Sequence, residues 1–163
     1  MNKVDPRPTT HDPRYAALAS AIKRWGAELG FQQIGIADCE LGEAETRLQE
    51  WVGKGYHGDM EYMERHGTKR SRPAELIPGT LRVIAARLNC NPPAQAAEEV
   101  MADGSKAFVA RYTLGRDYHK IVRGKLKKLA ARIHKEVGGY RYRVFTDSAP
   151  VMEVEIAQKA GLG

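Results

Sequence analysis

One carboxylate stands where it could do acid chemistry. In the stretch VFTDSAPVME, residues 144–153, Asp147 follows a short run of β-branched and aromatic residues and precedes a proline that is typical of a helix start. A carboxyl group at such a position can cap the following helix, or it can donate a proton to a ligand if burial raises its pKa. These residues alone leave both interpretations open.

A second group of polar side chains stands where the longest amphipathic segment begins. Asp117 is in the position of an N-cap, Tyr118 begins the apolar stripe of that segment, and His119 follows directly. The three residue types fit capping, packing and solvation as well as they fit a ligand site. His57 and His66, in a glycine-rich connection, are expected to be ordinary surface histidines rather than ligand contacts.

Positive charge is concentrated between Lys106 and Arg143. This segment has twelve Lys and Arg against Asp117 and Glu136, a local balance of +10 in a chain whose net charge is +6. Such a block either binds a polyanion or is a solvated helix face, and charge alone does not choose between them. On a helix, the apolar stripe is Tyr118, Val122, Leu126, Leu129, Ile133 and Val137, and a neighbouring basic stripe is Arg116, Lys120, Arg123, Lys127 and His134.

The elements that must position these residues alternate between helix and strand. We predict helices from Asp12 as N-cap and Pro13 to Gly30, over 43–55, briefly over 60–65, over 117–137, and from Pro150 to the end. Strands are predicted in 31–38, 81–90, 106–112 and 142–147, with loops over 55–80 and 91–105. The order predicts an α+β fold with a mixed sheet flanked by helices.

Composition limits the possible classes of protein. A chain of 163 residues with 42% apolar and 28% charged residues fits one globular domain without a membrane span. We expect a cytoplasmic monomer with no membrane partner, and a disordered lead over residues 1–11 rather than a secretion signal. Cys39 and Cys90 are far apart, so the sequence predicts neither a disulfide framework nor a metal site.

Three stretches then resemble a known family, in order along the chain. They are GYHGDMEYMERHGTKRSRPAELIPGTLRVI, ARYTLGRDYHKIVRGKLKKLA and YRVFTDSAPVMEVEIAQKAGLG. Together they resemble the N-terminal part of epoxyqueuosine reductases, the cobalamin and iron–sulfur enzymes that reduce epoxyqueuosine to queuosine in tRNA. The resemblance implies that residues 12–163 form the cobalamin-binding catalytic domain, with a fold similar to the nitroreductase-like cobalamin domains.

The resemblance also implies roles for the residues singled out above. Asp147 would be the catalytic proton donor in the last step of queuosine biosynthesis. The residues near the cobalamin and the modified base would be Asp117, Tyr118, His119 and Ser148. The residues that bind tRNA would be Arg116, Lys120, Arg123 and Lys127. No residue of this chain is expected to be a metal ligand.

Two features depart from the family pattern. Family members continue into a segment with cysteines for two 4Fe–4S clusters, which the two cysteines here cannot hold, so we expect a fragment or isolated domain that is inactive without that segment. Val154 also occupies the place of a basic residue. Two alternatives stay open: a non-catalytic tRNA-binding module, and a corrinoid reductase of a small molecule, which would leave the +10 segment unexplained.

Overall fold

Two paired strands lie at the centre of the fold, with helices against both faces. The computed structural model describes residues 13–89 and 91–162. Its elements are α1 (Pro13–Glu28), β1 (Gln33–Ala37), α2 (Gly42–Gly53), α3 (Pro73–Leu76), β2 (Val83–Arg87), α4 (Ala97–Ala102), α5 (Tyr118–Val137) and α6 (Glu153–Lys159). Short 3₁₀ helices occupy Glu61–Met63, Gly67–Arg70 and Arg111–Thr113. The arrangement is α+β, as the sequence predicts.

The pairing of the strands sorts their side chains onto two faces. β1 and β2 are antiparallel, with Gln33 opposite Arg87 and Ala37 opposite Val83. Because side chains alternate along a strand, Ile34 belongs to the core on one face and Ala37 to the core on the other. Each face therefore has its own apolar core.

Helices α1 and α5 pack against the first face. The buried residues there are Ile22, Phe31, Ile34, Leu129 and Ile133. A Cβ on Gly26 would overlap the Ile34 side chain, so glycine allows α1 to approach β1 closely. Burying one Leu or Ile side chain is worth about 1.5–3 kcal/mol. The middle of the α5 stripe thus holds the helix to the sheet, while Val137 at its end is exposed.

Helices α2 and α6 pack against the second face. Ala37, Leu41, Ala44 and Ile156 are buried there. A Cβ on Gly35 would overlap the backbone at Ala160, which lies directly over β1. Helix α6 begins at Glu153 and not at Pro150 as predicted, because residues 149–151 form bends. Among the described residues, no helix combines the length and apolar character that crossing a membrane requires.

Two of the predicted strands are wrong. Residues 106–110 and 141–145 have no regular secondary structure, and 106–110 are fully in the exposed class. Apolar and β-branched runs become strands only when a partner completes their hydrogen-bond ladder, and within the described residues the sheet has two strands. That sheet is antiparallel rather than mixed. The predicted loop over 91–105 contains helix α4. The predictions for residues 1–12 and Cys90 lie outside the described residues.

The long polar connection over residues 55–80 is tied to α2 by Glu45. The buried Ser71 hydroxyl donates to Glu45 Oε2 at 2.6 Å, and the Arg72 guanidinium donates to both carboxylate oxygens, at 2.9 Å to Oε2 and 2.7 Å to Oε1. These bonds, the Arg72 ones foremost, lower the pKa of Glu45 to about 2. His57, in the same connection, lies beside the Trp51 ring at 6.0 Å between centroids. The connection is thus anchored rather than free.

Candidate active site

The start of helix α5 is fixed by Asp117, as the sequence predicts. An Asp117 carboxylate oxygen accepts the backbone N–H of His119 at 3.0 Å, which is an N-cap hydrogen bond. The same oxygen lies 2.9 Å from His119 Nδ1. The hydrogen bond from the His119 side chain lowers the pKa of Asp117 below its usual value. Asp117 therefore stays ionised and holds the imidazole at the helix start.

Asp147 does not cap a helix. Helix α6 begins six residues later, and its N-cap residue Met152 makes no side-chain capping bond. Asp147 instead accepts the Tyr118 hydroxyl at Oδ2, at 2.5 Å, and His119 Nε2 lies 3.7 Å from the same oxygen. The capping interpretation is wrong, because the side chain turns toward α5 and away from α6.

The backbone at Asp147 is unusual for its residue type. Among the described residues it is the one non-glycine residue with positive φ, at 51°. This left-handed region costs energy for most side chains, although Asp tolerates it better than most, and it is often found at functional sites. The turn therefore presents the carboxyl group at a cost in backbone energy.

Aromatic rings support the polar groups. The Tyr118 and His119 rings stack at 4.0 Å between centroids, and Tyr112 meets Tyr118 edge to face at 5.9 Å. Tyr112 was not predicted as a site residue because it was assigned to the end of a strand. Its ring restricts where the Tyr118 hydroxyl can point. Together these contacts fix the geometry around the Asp147 carboxylate.

The polar cluster is open to solvent. The side chain of Asp147 is 57% exposed, that of His119 51% and that of Asp117 46%. The structure thus brings together Asp117, Tyr118, His119 and Asp147, four of the residues predicted for the site. Three of the four are exposed to solvent at the N-terminal end of α5, and Tyr118 is partly buried.

An open cavity of about 480 Å³ adjoins this cluster through Ser148. Besides Ser148, it is lined by Arg123, Lys127, Tyr142, Arg143, Val144 and Phe145. One predicted cofactor-binding residue and two predicted tRNA-binding residues therefore share one cavity. The other two predicted tRNA-binding residues, Arg116 and Lys120, are exposed at the start of α5 and do not line it.

Four lining residues, Tyr142, Arg143, Val144 and Phe145, were missed from the sequence. All four fell within a predicted strand. A strand would have placed the adjacent residues Tyr142 and Arg143 on opposite faces, whereas both line the cavity. The Arg143 guanidinium lies over the Phe145 ring, 4.9 Å from its centroid. The alternation of basic and aromatic residues in YRYRVF, residues 140–145, is the signal that could have revealed them.

The described residues offer no metal site. No group of three or more His, Cys, Asp or Glu within 13–89 and 91–162 could hold a metal ion. The Cys39 thiol donates to the Thr80 carbonyl, and burial raises its pKa, so it is a protonated packing group. A second cavity, of about 320 Å³, lies beside α1 and contains no predicted site residue.

Comparison with known proteins identifies similar sequences. The family model described as Epoxyqueuosine reductase QueG, DUF1730, matches residues 70–148, which include every predicted site residue. The chain is 58% identical over 151 residues to an epoxyqueuosine reductase of Pseudomonas aeruginosa, covering 93% of this chain and 42% of the relative. It is 51% identical over 146 residues to one of Escherichia coli, covering 90% of this chain and 38% of the relative.

The similarity covers nearly the whole chain but less than half of each of these relatives. No solved structure is significantly similar to this chain. The resemblance predicted from the three sequence stretches is therefore confirmed by sequence, with the candidate active site inside the matched segment.

Proposed function

We propose that this chain, which is similar to epoxyqueuosine reductases, carries the catalytic site for the last step of queuosine biosynthesis. That step is the reduction of epoxyqueuosine to queuosine in tRNA. The contact between the Tyr118 hydroxyl and the Asp147 carboxylate, at 2.5 Å, is the observation that carries the proposal. This contact brings together two sequence stretches that resemble the family, one with Tyr118 and one with Asp147. The Asp147 carboxylate does not cap a helix, so capping does not explain its presence.

The reaction needs an acid. Converting an epoxide to an alkene breaks both carbon–oxygen bonds, consumes two electrons and two protons, and releases water. Expelling an alkoxide at neutral pH is slow unless a side chain protonates the oxygen as it leaves. Tyr118 occupies Asp147 Oδ2, so Oδ1 is the oxygen that carries the proton to the substrate. The Tyr118 hydrogen bond then stabilises the carboxylate that remains.

His119 is placed to restore the proton. Its hydrogen bond to Asp117 assigns the imidazole proton to Nδ1, which leaves Nε2 facing Asp147 at 3.7 Å. Because His119 is half exposed, it can exchange protons with water and pass one to Asp147. Asp117 acts through His119 by orienting it, and is a positioning residue.

Cobalamin is the cofactor we propose, and when bound it supplies the two electrons. The residues present fit it. The Ser148 hydroxyl, and the Tyr118 hydroxyl oxygen as an acceptor, would form hydrogen bonds with the amide groups of a corrin beside Asp147, and the Thr146 hydroxyl is buried without a partner in the described structure. Both His119 ring nitrogens face carboxylates, so His119 would contact the cofactor as a lining side chain and not as a ligand of its metal.

The chain's residues do not fit an iron–sulfur cluster. A 4Fe–4S cluster takes four thiolates, and the sequence has two cysteines. The electrons must therefore reach the site from outside this chain. As part of the same proposal, residues 12–163 form a nitroreductase-like cobalamin-binding domain, and the protein acts on tRNA as a monomer in the cytoplasm.

The two alternative functions are less well supported. A non-catalytic tRNA-binding module would use the basic cavity but would have no use for a carboxylate held at a φ of 51°. A corrinoid reductase of a small molecule would use Asp147 but not Arg123 and Lys127 in the adjoining cavity. The proposed reaction uses both features.

The variant Asp147→Asn tests the proposal in the protein at its natural full length. Asn has the same shape, tolerates the left-handed region and still accepts the Tyr118 hydrogen bond, so cobalamin affinity, tRNA affinity and Tm should not change. Conversion of epoxyqueuosine-tRNA to queuosine-tRNA should fall about 10²- to 10⁴-fold, the usual contribution of a general acid.

A matched control is available in the same chain. Asp103 is an exposed carboxylate hydrogen-bonded to Ser105 outside the site, so Asp103→Asn should leave turnover unchanged. Near-normal turnover in a folded Asp147→Asn variant would overturn the role of Asp147 as proton donor.

A further inference from the structure

We propose that the cavity beside Asp147 is a nucleotide subsite for the RNA strand. In it, Arg123, Lys127 and Arg143 bind the phosphodiester of the nucleotide next to the modified one, and Tyr142 stacks on a base. This deepens the proposed function and rests on it, because it specifies how the RNA substrate enters the site. Beyond the tRNA contacts predicted from the sequence, the proposal specifies which side chains bind the RNA and which part of the nucleotide each one binds.

The charge of the cavity fits phosphate. Arg123, Lys127 and Arg143 line it, and no acidic residue does. Within the described residues none of these three cations forms an ion pair, whereas Arg132 and Lys106 in the same basic segment pair with Glu28 and Asp103. The charges of these three cavity cations are therefore not neutralised by a carboxylate of the described residues. An anionic ligand would complete the cavity.

Three cations favour a strand over a single anion. The nucleotide tail of cobalamin contains one phosphodiester, with one negative charge. Consecutive nucleotides of RNA each contribute one charge, and several basic side chains can each release a counterion on binding. An open cavity of about 480 Å³ also lets a strand pass through it, which a closed small-molecule pocket would not.

The aromatic residues fit a base. Tyr142 is 45% exposed, and its ring lies 5.1 Å from the Tyr140 ring and 6.4 Å from the His134 ring between centroids. An aromatic ring that is restricted by neighbouring rings and still exposed can stack on an unpaired base. The Arg143 guanidinium lies over the Phe145 ring, 4.9 Å from its centroid, and this contact restricts a side chain whose planar guanidinium can bind phosphate with two hydrogen bonds.

The cavity lies next to the proposed proton donor. Ser148 lines the cavity and directly follows Asp147, which is the proposed proton donor. An RNA strand bound by the three cations therefore passes within one residue of the carboxyl group. The nucleotide in the cavity would be a neighbour of the modified nucleotide, and its binding would fix the register of the strand at the acid.

The test measures RNA binding without turnover. A short synthetic anticodon stem–loop RNA is titrated into the protein at its natural full length, with fluorescence anisotropy as the readout, at several salt concentrations. Tyr142→Ala should weaken binding about 5- to 100-fold and Tyr142→Phe should leave it unchanged, because stacking needs the ring and not the hydroxyl. Arg123→Ala and Arg143→Ala should each reduce the log–log salt slope by about 0.7 to 0.9.

A control variant and a second ligand distinguish an RNA subsite from a site for the nucleotide tail of cobalamin. Tyr56→Ala removes a tyrosine that is 66% exposed outside the site, and it should not change RNA affinity. The same variants are titrated with cobalamin and with cobinamide, which lacks the nucleotide tail. Weaker RNA binding with unchanged cobalamin binding supports the subsite. A loss of cobalamin binding alone, with cobinamide binding unchanged, overturns it and assigns the cavity to the cofactor tail.

Unchanged RNA affinity in a folded Tyr142→Ala variant also overturns the subsite. That result would leave the proposed reaction intact, because the reaction is judged by turnover of Asp147→Asn. Conversely, normal turnover in Asp147→Asn would overturn the proton donor and leave the RNA-binding result standing.

Discussion

Glu45 and Asp147 are two carboxylates of the same chain with opposite surroundings. Glu45 lies on α2, is 15% exposed, and accepts hydrogen bonds from the Ser71 hydroxyl and the Arg72 guanidinium. Asp147 lies in a left-handed turn, is 57% exposed, and accepts one hydroxyl, from Tyr118. Glu45 holds two segments together, whereas Asp147 leaves one oxygen for a ligand.

The two carboxylates differ in whether a guanidinium contacts them. A guanidinium in contact with a carboxylate stabilises the charged form and lowers its pKa, as Arg72 does for Glu45. No Arg or Lys forms an ion pair with Asp147 in the described structure, although the surrounding segment is strongly basic. The basic residues Arg123, Lys127 and Arg143 line the adjoining cavity instead.

The largest effect on stability is expected from Glu45→Gln. The amide oxygen can still accept the Ser71 hydroxyl, but the amide N–H₂ group faces the Arg72 guanidinium, so donor meets donor and the anchor of residues 55–80 is lost. Tm should fall clearly, whereas the same acid-to-amide exchange in Asp147→Asn should leave it unchanged. Equal Tm values for the two variants would contradict the contrast between the two carboxylates.

The contact between Glu45 and Arg72 predicts that stability depends on pH. The pKa of Glu45 is about 2 in the folded protein and 4.5 ordinarily, so its stabilising effect is complete above pH 4.5 and is lost as pH falls toward 2. The Tm difference between the wild type and Glu45→Gln should therefore be large at about pH 6 and shrink below about pH 4. A difference that is constant across this range would assign the loss to packing.

A smaller effect is expected from Ser71→Ala. Ser71 is 2% exposed and donates to an ionised carboxylate, and a hydrogen bond to a charged group contributes about 1.5–3 kcal/mol. Because Arg72 still binds Glu45, thermal or urea unfolding should show a loss near the lower end of this range. Ser20→Ala is the control, since its exposed hydroxyl donates within α1 and its loss should change stability by less than about 0.5 kcal/mol.

The local parts of the site could be predicted from the sequence. The N-cap at Asp117 and the long helix after it follow from residue types and a spacing of three and four, which depend on neighbours within one turn. The exposed basic stripe followed from the same periodicity. These features need no information about where α5 lies in the fold.

The long-range parts could not be predicted in this way. Tyr118 and Asp147 are 29 residues apart, and Glu45 and Ser71 are 26 apart, so no helical or strand period relates them. The family resemblance, and not the spacing, indicated Asp147. The cavity was missed because residues 142–147 were predicted as a strand, and a strand depends on a partner that the segment itself does not specify.

The smallest expected effect on stability comes from the backbone conformation at Asp147. Measuring it tests whether the left-handed turn is present for function. Asp147→Gly and Asp147→Ala both remove the carboxylate and its hydrogen bond with Tyr118, so the difference between them isolates the left-handed conformation at a φ of 51°. Glycine adopts this region freely, whereas a Cβ there costs about 1–2 kcal/mol.

Asp147→Gly should therefore be more stable than Asp147→Ala by about 1 kcal/mol in urea unfolding, and neither variant should reduce epoxyqueuosine-tRNA. Equal stability would mean that the turn is not left-handed in solution. If the difference is found, glycine would suit the fold at this position better than most residues, yet the chain has an acid there. The contrast with Glu45 would then be complete, because Glu45 stabilises the fold through its charge and Asp147 is retained despite the conformation that it requires.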